Sequence, residues 1–135
     1  MVLTVIIHAI GTSVGLRWLD TARARPGYLT TVVQRSLVVG MLVIIMFVAT
    51  LLEAALWAGT YKLFYAVAGF EKALYFSIVT YTTLGYGDIV LDENWRLLSS
   101  FQAANGIIIF GWTTAVIIVA MKAISRRLSE FDEIS

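Results

Sequence analysis

Apolar residues fall along this chain in long unbroken blocks, not in the alternation of a half-buried strand or the narrow stripe of a soluble helix. Between Arg96 and Lys122 no charge occurs from Leu97 to Met121. At a rise of about 1.5 Å per residue, that block is long enough to cross a hydrocarbon core of ~30 Å. From Ser36 to Tyr61 the only charge is Glu53, and LVVGMLVIIMFVATLL is apolar on every side. Both blocks predict spanning helices. A third charge-free block, Val2 to Leu16, is shorter and is diluted by Thr4, His8, Thr12 and Ser13. Trp18 and Leu19 extend it to about 27 Å, and it is predicted to span as well. The fourth, Ala73 to Gly87, lies between Lys72 and Asp88. It would reach only about two-thirds of the way across and is too short to span.

Composition agrees with lipid as the solvent. Hydrophobic residues make up 59% of the 135 and charged residues 14%, with a mean hydropathy of +0.84; soluble domains carry about 25% charged residues. A net charge of +1 argues against a nucleic-acid partner, which needs a basic face. Cysteine is absent, which excludes disulfides and thiolate metal sites. The ARA stretch at Ala22–Ala24 resembles a signal cleavage site, but Arg17, Arg23 and Arg25 follow the apolar block instead of preceding it, so the helix is expected to be retained.

Basic residues near span ends set orientation. Arg17, Arg23, Arg25 and Arg35 flank the linker, whose turn is placed at Pro26–Gly27, and Lys122, Arg126 and Arg127 follow the last span. Both regions read cytoplasmic, which puts residues 62–96 and the N-terminus outside. Three parts are expected: an N-terminal helix and basic linker (1–31), a central domain (32–122) and a short, acidic, solvated tail (123–135). Trp57, Tyr61, Phe64, Tyr65 and Trp95 near the outer interface, and Trp18 near the inner one, fit interfacial belts.

The non-crossing segment ends in TTLGYGD. Non-helical backbone at membrane depth survives only where it is buried in protein or lines a watery cavity. The glycines give access to backbone angles closed to other residues, so successive carbonyls can face one way. TTLGYGD resembles the potassium-channel filter signature, with Leu84 where valine or isoleucine is more usual. ALYFSIVTYTT resembles the pore helix, and NGIIIFGWTTA the inner helix with its hinge glycine. The resemblance spans about residues 36 to 121 and is to the two-transmembrane pore domain of the potassium channel superfamily. It is nearest to small bacterial ion-channel proteins with an extra N-terminal helix.

That resemblance implies an all-α integral membrane protein that forms a homotetramer around a central pore. The carbonyls of Thr83, Leu84, Gly85 and Tyr86 would bind K+, with the Thr83 hydroxyl at the inner end and Gly87 completing the turn. Thr82, Asp88 and Tyr75 would support the filter. Ile107, Phe110, Thr114 and Ile118, at helical spacing, would line the cavity and its exit, or else serve as ordinary packing. Gly106 and Gly111 would bend the inner helix or allow close packing. In some bacterial relatives a glutamate stands behind the filter where Val79 stands here. Tyr75 replaces a common tryptophan, so Asp88 is expected to meet the Tyr75 hydroxyl.

Glu53 and His8 are ionisable groups at membrane depth and hence functional candidates. They form either a proton-sensitive pair or, with Glu53 bonded to Gln102, Asn105 or a pore-helix hydroxyl, a structural tie. The expected function is passive potassium conduction, with no enzymatic chemistry and no cofactor besides potassium ions. The partners are other copies of the chain and the bilayer of the cell membrane; no soluble ligand-binding domain is expected. The alternatives are a non-selective cation channel of the same fold or a small proton-coupled efflux transporter using Glu53. No arginine-rich voltage-sensing helix is present.

Overall fold

The computed structural model describes residues 1–25 and 31–132, with side chains as far as Ser125. Four helices follow one another: α1 (Val2–Ala24), α2 (Val32–Leu63), α3 (Phe70–Tyr81) and α4 (Arg96–Asp132). No strand occurs among the described residues. α1, α2 and α4 (the last over Arg96–Ser125) are each long and apolar enough to cross a membrane. The 12 residues of α3 rise only about 18 Å. The predicted turn at Pro26–Gly27 lies outside the described residues, as do the side chains of Arg126 and Arg127.

Local chemistry explains the boundaries. Thr31 caps α2 by accepting from the Gln34 amide at 3.3 Å, and the Gln34 side chain returns a bond to the Thr31 amide at 3.3 Å. This reciprocal box starts the helix four residues before the expected apolar block. Tyr65 (φ 55°) lies just beyond the end of α2, and Gly69 (φ 83°) precedes α3. The expected apolar segment 73–87 divides in two: its first part is helical and its second is not, with TTLGYGD lying beyond the helix. α4 runs on through Asp132, so the expected tail begins as a continuation of the inner helix.

In lipid, apolar side chains gain little by leaving the solvent for one another, so helices associate through close packing and hydrogen bonds. Gly11 and Gly15, four apart on α1, lie against α2. A Cβ on Gly11 would stand 3.0 Å from that of Ala49, and one on Gly15 would stand 2.5 Å from Leu42 Cδ1. Rising numbers on α1 meet falling numbers on α2 (His8 with Glu53, Gly11 with Ala49, Gly15 with Leu42), so these two helices run antiparallel. Thr4 meets Asn105 and His8 meets Thr113, so α1 runs parallel to α4. One end of the bundle therefore collects Arg17, Arg23, Arg25, Arg35 and Lys122.

The sequence predicts that α1 packs on the outside of α2, away from a pore axis; α1 does lie against α2, and it also reaches α4. Thr4 and His8 find polar partners on α4 that the lipid-facing side of α2 could not supply. Leu19 and Ala22 of α1 join Val38, Leu42 and Met46 of α2 and Val116 and Ala120 of α4 in one buried cluster. A second cluster wraps α3: Trp57, Ala58, Tyr61, Ala73, Phe76 and Ile109. Trp57 and Tyr61 thus depart from the interfacial belt, because α3 offers them a protein surface. Phe64 and Tyr65 do remain exposed, and Phe64 lies against Trp95 with ring centroids 5.4 Å apart.

Candidate functional site

The chain leaves α3 through a tight set of backbone bonds. The Thr82 amide donates to Ile78 O at 2.9 Å and the Thr83 amide to Thr80 O at 3.0 Å. Leu84 and Gly85 both donate to Val79 O, at 3.0 and 3.3 Å. The Thr82 hydroxyl donates to Ile78 O at 2.8 Å. Thr82 therefore ties the last turn of α3 to the loop, and the Val79 carbonyl anchors the loop.

Beyond that anchor the backbone alternates. Thr83 (φ 60°), Gly85 (φ 55°) and Gly87 (φ 78°) are left-handed, while Leu84 and Tyr86 between them are not. Ordinary side chains rarely tolerate that region, and glycine supplies two of the three. Alternation of this kind turns successive peptide carbonyls toward one side. Among the described residues no hydrogen bond from the chain reaches the carbonyls of Thr83, Leu84, Gly85 or Tyr86. The whole stretch Thr82–Asp88 is exposed. The Asp88 carboxylate lies beside the exposed Tyr75 hydroxyl and raises its pKa above the ordinary phenol value, first through hydrogen bonding and then through charge.

Behind α3 lies a buried polar layer. The Tyr81 hydroxyl donates to Glu53 Oε2 at 2.6 Å and accepts from Asn105 Nδ2 at 3.0 Å. His8 Nδ1 meets Glu53 Oε1 at 3.0 Å, and His8 Nε2 meets the Thr113 hydroxyl at 3.2 Å. Thr4 closes the cluster, its one hydroxyl proton lying between Met1 O at 2.6 Å and Asn105 Oδ1 at 3.1 Å. A second cluster lies beside it. The Tyr61 hydroxyl donates to Gln102 Oε1 at 2.6 Å, Gln102 Nε2 donates to Ser77 Oγ at 2.7 Å, and the Ser77 hydroxyl donates to Ala54 O at 2.6 Å. Such bonds are costly to leave unmade in an apolar setting, and together they seat α3 on the three long helices.

Glu53 meets His8, as either reading of the pair requires, and also accepts from a hydroxyl of α3, that of Tyr81, as the structural tie predicts. Asn105 reaches it only through Tyr81, and Gln102 serves Tyr61 and Ser77 instead. Thr4, Tyr81 and Thr113 were not singled out from the sequence. Their signal was polar residues at helical spacing within apolar spans, Thr4 with His8 and Asn105 with Thr113. On α4 the two glycines part ways. A Cβ on Gly106 would collide with the Tyr81 carbonyl, whereas one on Gly111 would meet nothing within its own chain. Gly106 serves close packing. Ile107, Phe110, Thr114 and Ile118 all lie exposed along α4, and the Phe110 ring lies 6.1 Å from that of Tyr81.

A model of the family described as ion channel matches residues 49–123. This region is more than half of the chain and holds the second half of α2 from Ala49, all of α3 with its loop, and α4 to Ala123. The chain belongs to the ion-channel family. It is therefore a membrane protein, in keeping with three helices long and apolar enough to cross a bilayer. α1, with His8 and Thr4, lies outside the matched region. No curated protein and no solved structure matches the channel.

Proposed function

We propose that four copies of this channel assemble around a common axis and conduct potassium selectively and passively through Thr83–Gly87. The observation that carries the reading is the loop backbone: four consecutive carbonyls without a donor among the described residues, on residues whose φ alternates in sign. Four such loops facing one axis would offer rings of oxygens in place of a cation's hydration shell. In this reading Thr83, Leu84, Gly85 and Tyr86 coordinate K+, Gly87 completes the turn, and Asp88 stands at the outer mouth with Tyr75 behind it. The C-terminal, negative end of the α3 dipole would favour a cation in the cavity. Neighbouring copies would cover the exposed loop and α4, leaving Ile107, Phe110, Thr114 and Ile118 along the conduction path.

The test is a bilayer with potassium on one side and sodium on the other. Reversal close to the potassium equilibrium potential is expected. Reversal near zero would identify a non-selective cation channel, and proton-driven transport without single-channel currents would identify a transporter. The same recordings locate the gate. Ile118 forms an apolar constriction that closes by dewetting, so Ile118→Ser raises open probability; an unchanged value in an assembled variant would move the gate elsewhere.

The basic end of the bundle faces the cytoplasm in this reading, by the bias of Lys and Arg in short loops. A cysteine replacing Val2 is then labelled by an impermeant thiol reagent added outside, and one replacing Thr21 is not. The reverse pattern would invert the topology.

A further inference from the structure

We infer that His8 is a positioning residue for the loop Thr83–Gly87: through Glu53 and Tyr81 it holds the end of α3, and the proton on its Nε2 sets ion flux. The inference rests on the channel reading above. It concerns α1, the helix outside the region that carries the family.

The proton inventory of the cluster is constrained by its geometry. The Tyr81 hydroxyl accepts from Asn105, so its single proton goes to Glu53 Oε2. A proton also lies between Glu53 Oε1 and His8 Nδ1. Both carboxyl oxygens are thereby occupied. The remaining variable is Nε2, which faces the Thr113 hydroxyl. With a proton on Nε2 the His8–Glu53 pair is net neutral and Thr113 accepts. Without it, the pair carries one negative charge and the Thr113 hydroxyl must turn to donate. Nothing else that titrates faces His8. α2 supplies Glu53, and α3 supplies Tyr81, acting through Glu53. α4 supplies the neutral Thr113 and the Trp112 ring, whose centroid lies 5.2 Å away edge to face. Both His8 and Glu53 are wholly shielded from solvent, a setting in which uncompensated charge is costly.

The loop senses this proton because Tyr81 is the last residue of α3. Its hydroxyl is held by Glu53 and its carbonyl is pressed against Gly106. Thr82 and Thr83 follow directly. With the proton on Nε2, His8 and Glu53 form a hydrogen-bonded ion pair; without it a neutral Nδ1–H faces the carboxylate and the Coulomb attraction between the two side chains is gone. Loss of the Nε2 proton therefore loosens the hold of His8 on Glu53, and with it the seat of Tyr81 at the end of α3. Flux is higher with the proton on.

Potassium efflux from proteoliposomes of the full chain is measured from about pH 5.5 to about pH 8. Wild type is expected to be about fivefold faster, or more, at the acid end. In His8→Gln, which retains a donor toward Glu53 but cannot titrate, the profile is flat and the potassium-over-sodium ratio is that of wild type. Thr113→Val removes only the partner of Nε2, so it shifts the midpoint of the profile while flux persists. Tryptophan emission reports the proton independently: a pH step that depends on Trp112 is expected in wild type and absent in His8→Gln. The inference is overturned by a flat wild-type flux profile, by a profile unchanged in both variants, or by an emission step that survives in His8→Gln. Failure of the potassium reading looks different, as equal sodium and potassium flux, and the pH comparison can still be made on that flux.

Discussion

Replacing Gly85 or Gly87 by alanine is expected to abolish the selective potassium flux proposed for this channel while the protein still folds. The cause is conformational. An added Cβ at either position meets no atom within 4 Å in its own chain, so crowding within the chain is not the obstacle. Gly85 sits at φ 55° and Gly87 at φ 78°, where an L side chain costs about 1–2 kcal/mol. In a symmetric tetramer that cost is incurred in each copy. The backbone relieves it by leaving the left-handed region, which turns the adjoining carbonyls off the axis. The loop lies outside the buried clusters, so the melting temperature of the detergent-solubilised protein should hold. Reversal potentials in the bilayer provide the check. Either variant conducting potassium with wild-type selectivity would remove Thr83–Gly87 from the conduction path.

The second large effect is on stability. Glu53→Leu is expected to cost about 3–5 kcal/mol, the usual range for removing one member of a buried pair. Leucine fills much of the space but leaves the Tyr81 hydroxyl and His8 Nδ1 without their acceptor. Asn105 and Thr4 lose register in turn, since both are oriented through Tyr81. Glu53→Gln keeps one acceptor oxygen but points an amide at the other donor, so its cost is smaller, about 1–3 kcal/mol. Thermal unfolding in detergent should show Leu lowered by about 10 °C or more and Gln lying between it and wild type. If Leu melts with wild type, the polar layer does not hold α3 in place. A double variant, Glu53→Leu with Tyr81→Phe, recovers part of the loss because the orphaned hydroxyl is gone.

Two features of α4 follow the same logic of local geometry. Gly106 lies where the end of α3 presses closest, against a backbone carbonyl that cannot rotate away. Gly111 is five residues on and has no such neighbour in its own chain. Spacing alone could not separate them, because glycine in a spanning helix serves bending and close packing equally well.

How far the chain could be read on its own depended on the range of the interaction. The three long helices were legible because long apolar blocks with at most one charge inside them, the first of them the shortest, admit little else in lipid. The short α3 was legible because a block that cannot cross must turn back, and TTLGYGD announced backbone that only glycine-rich sequence can adopt. These are properties of neighbours along the chain. The end of α3 was legible to within two residues from the likeness of ALYFSIVTYTT to a pore helix, but the capture of the Leu84 and Gly85 amides by Val79 O was not. Nor was the seat of α1. Its apolar surface would accept lipid or protein, and only Thr4 and His8 meeting Asn105 and Thr113 across more than a hundred residues brings it onto α4. The sequence by itself determined that this protein is a helical membrane channel with a glycine-bearing loop. The tertiary structure alone decided which polar groups share one buried cluster, because a hydrogen bond depends on ångström distances between helices that hydrophobic pattern does not encode.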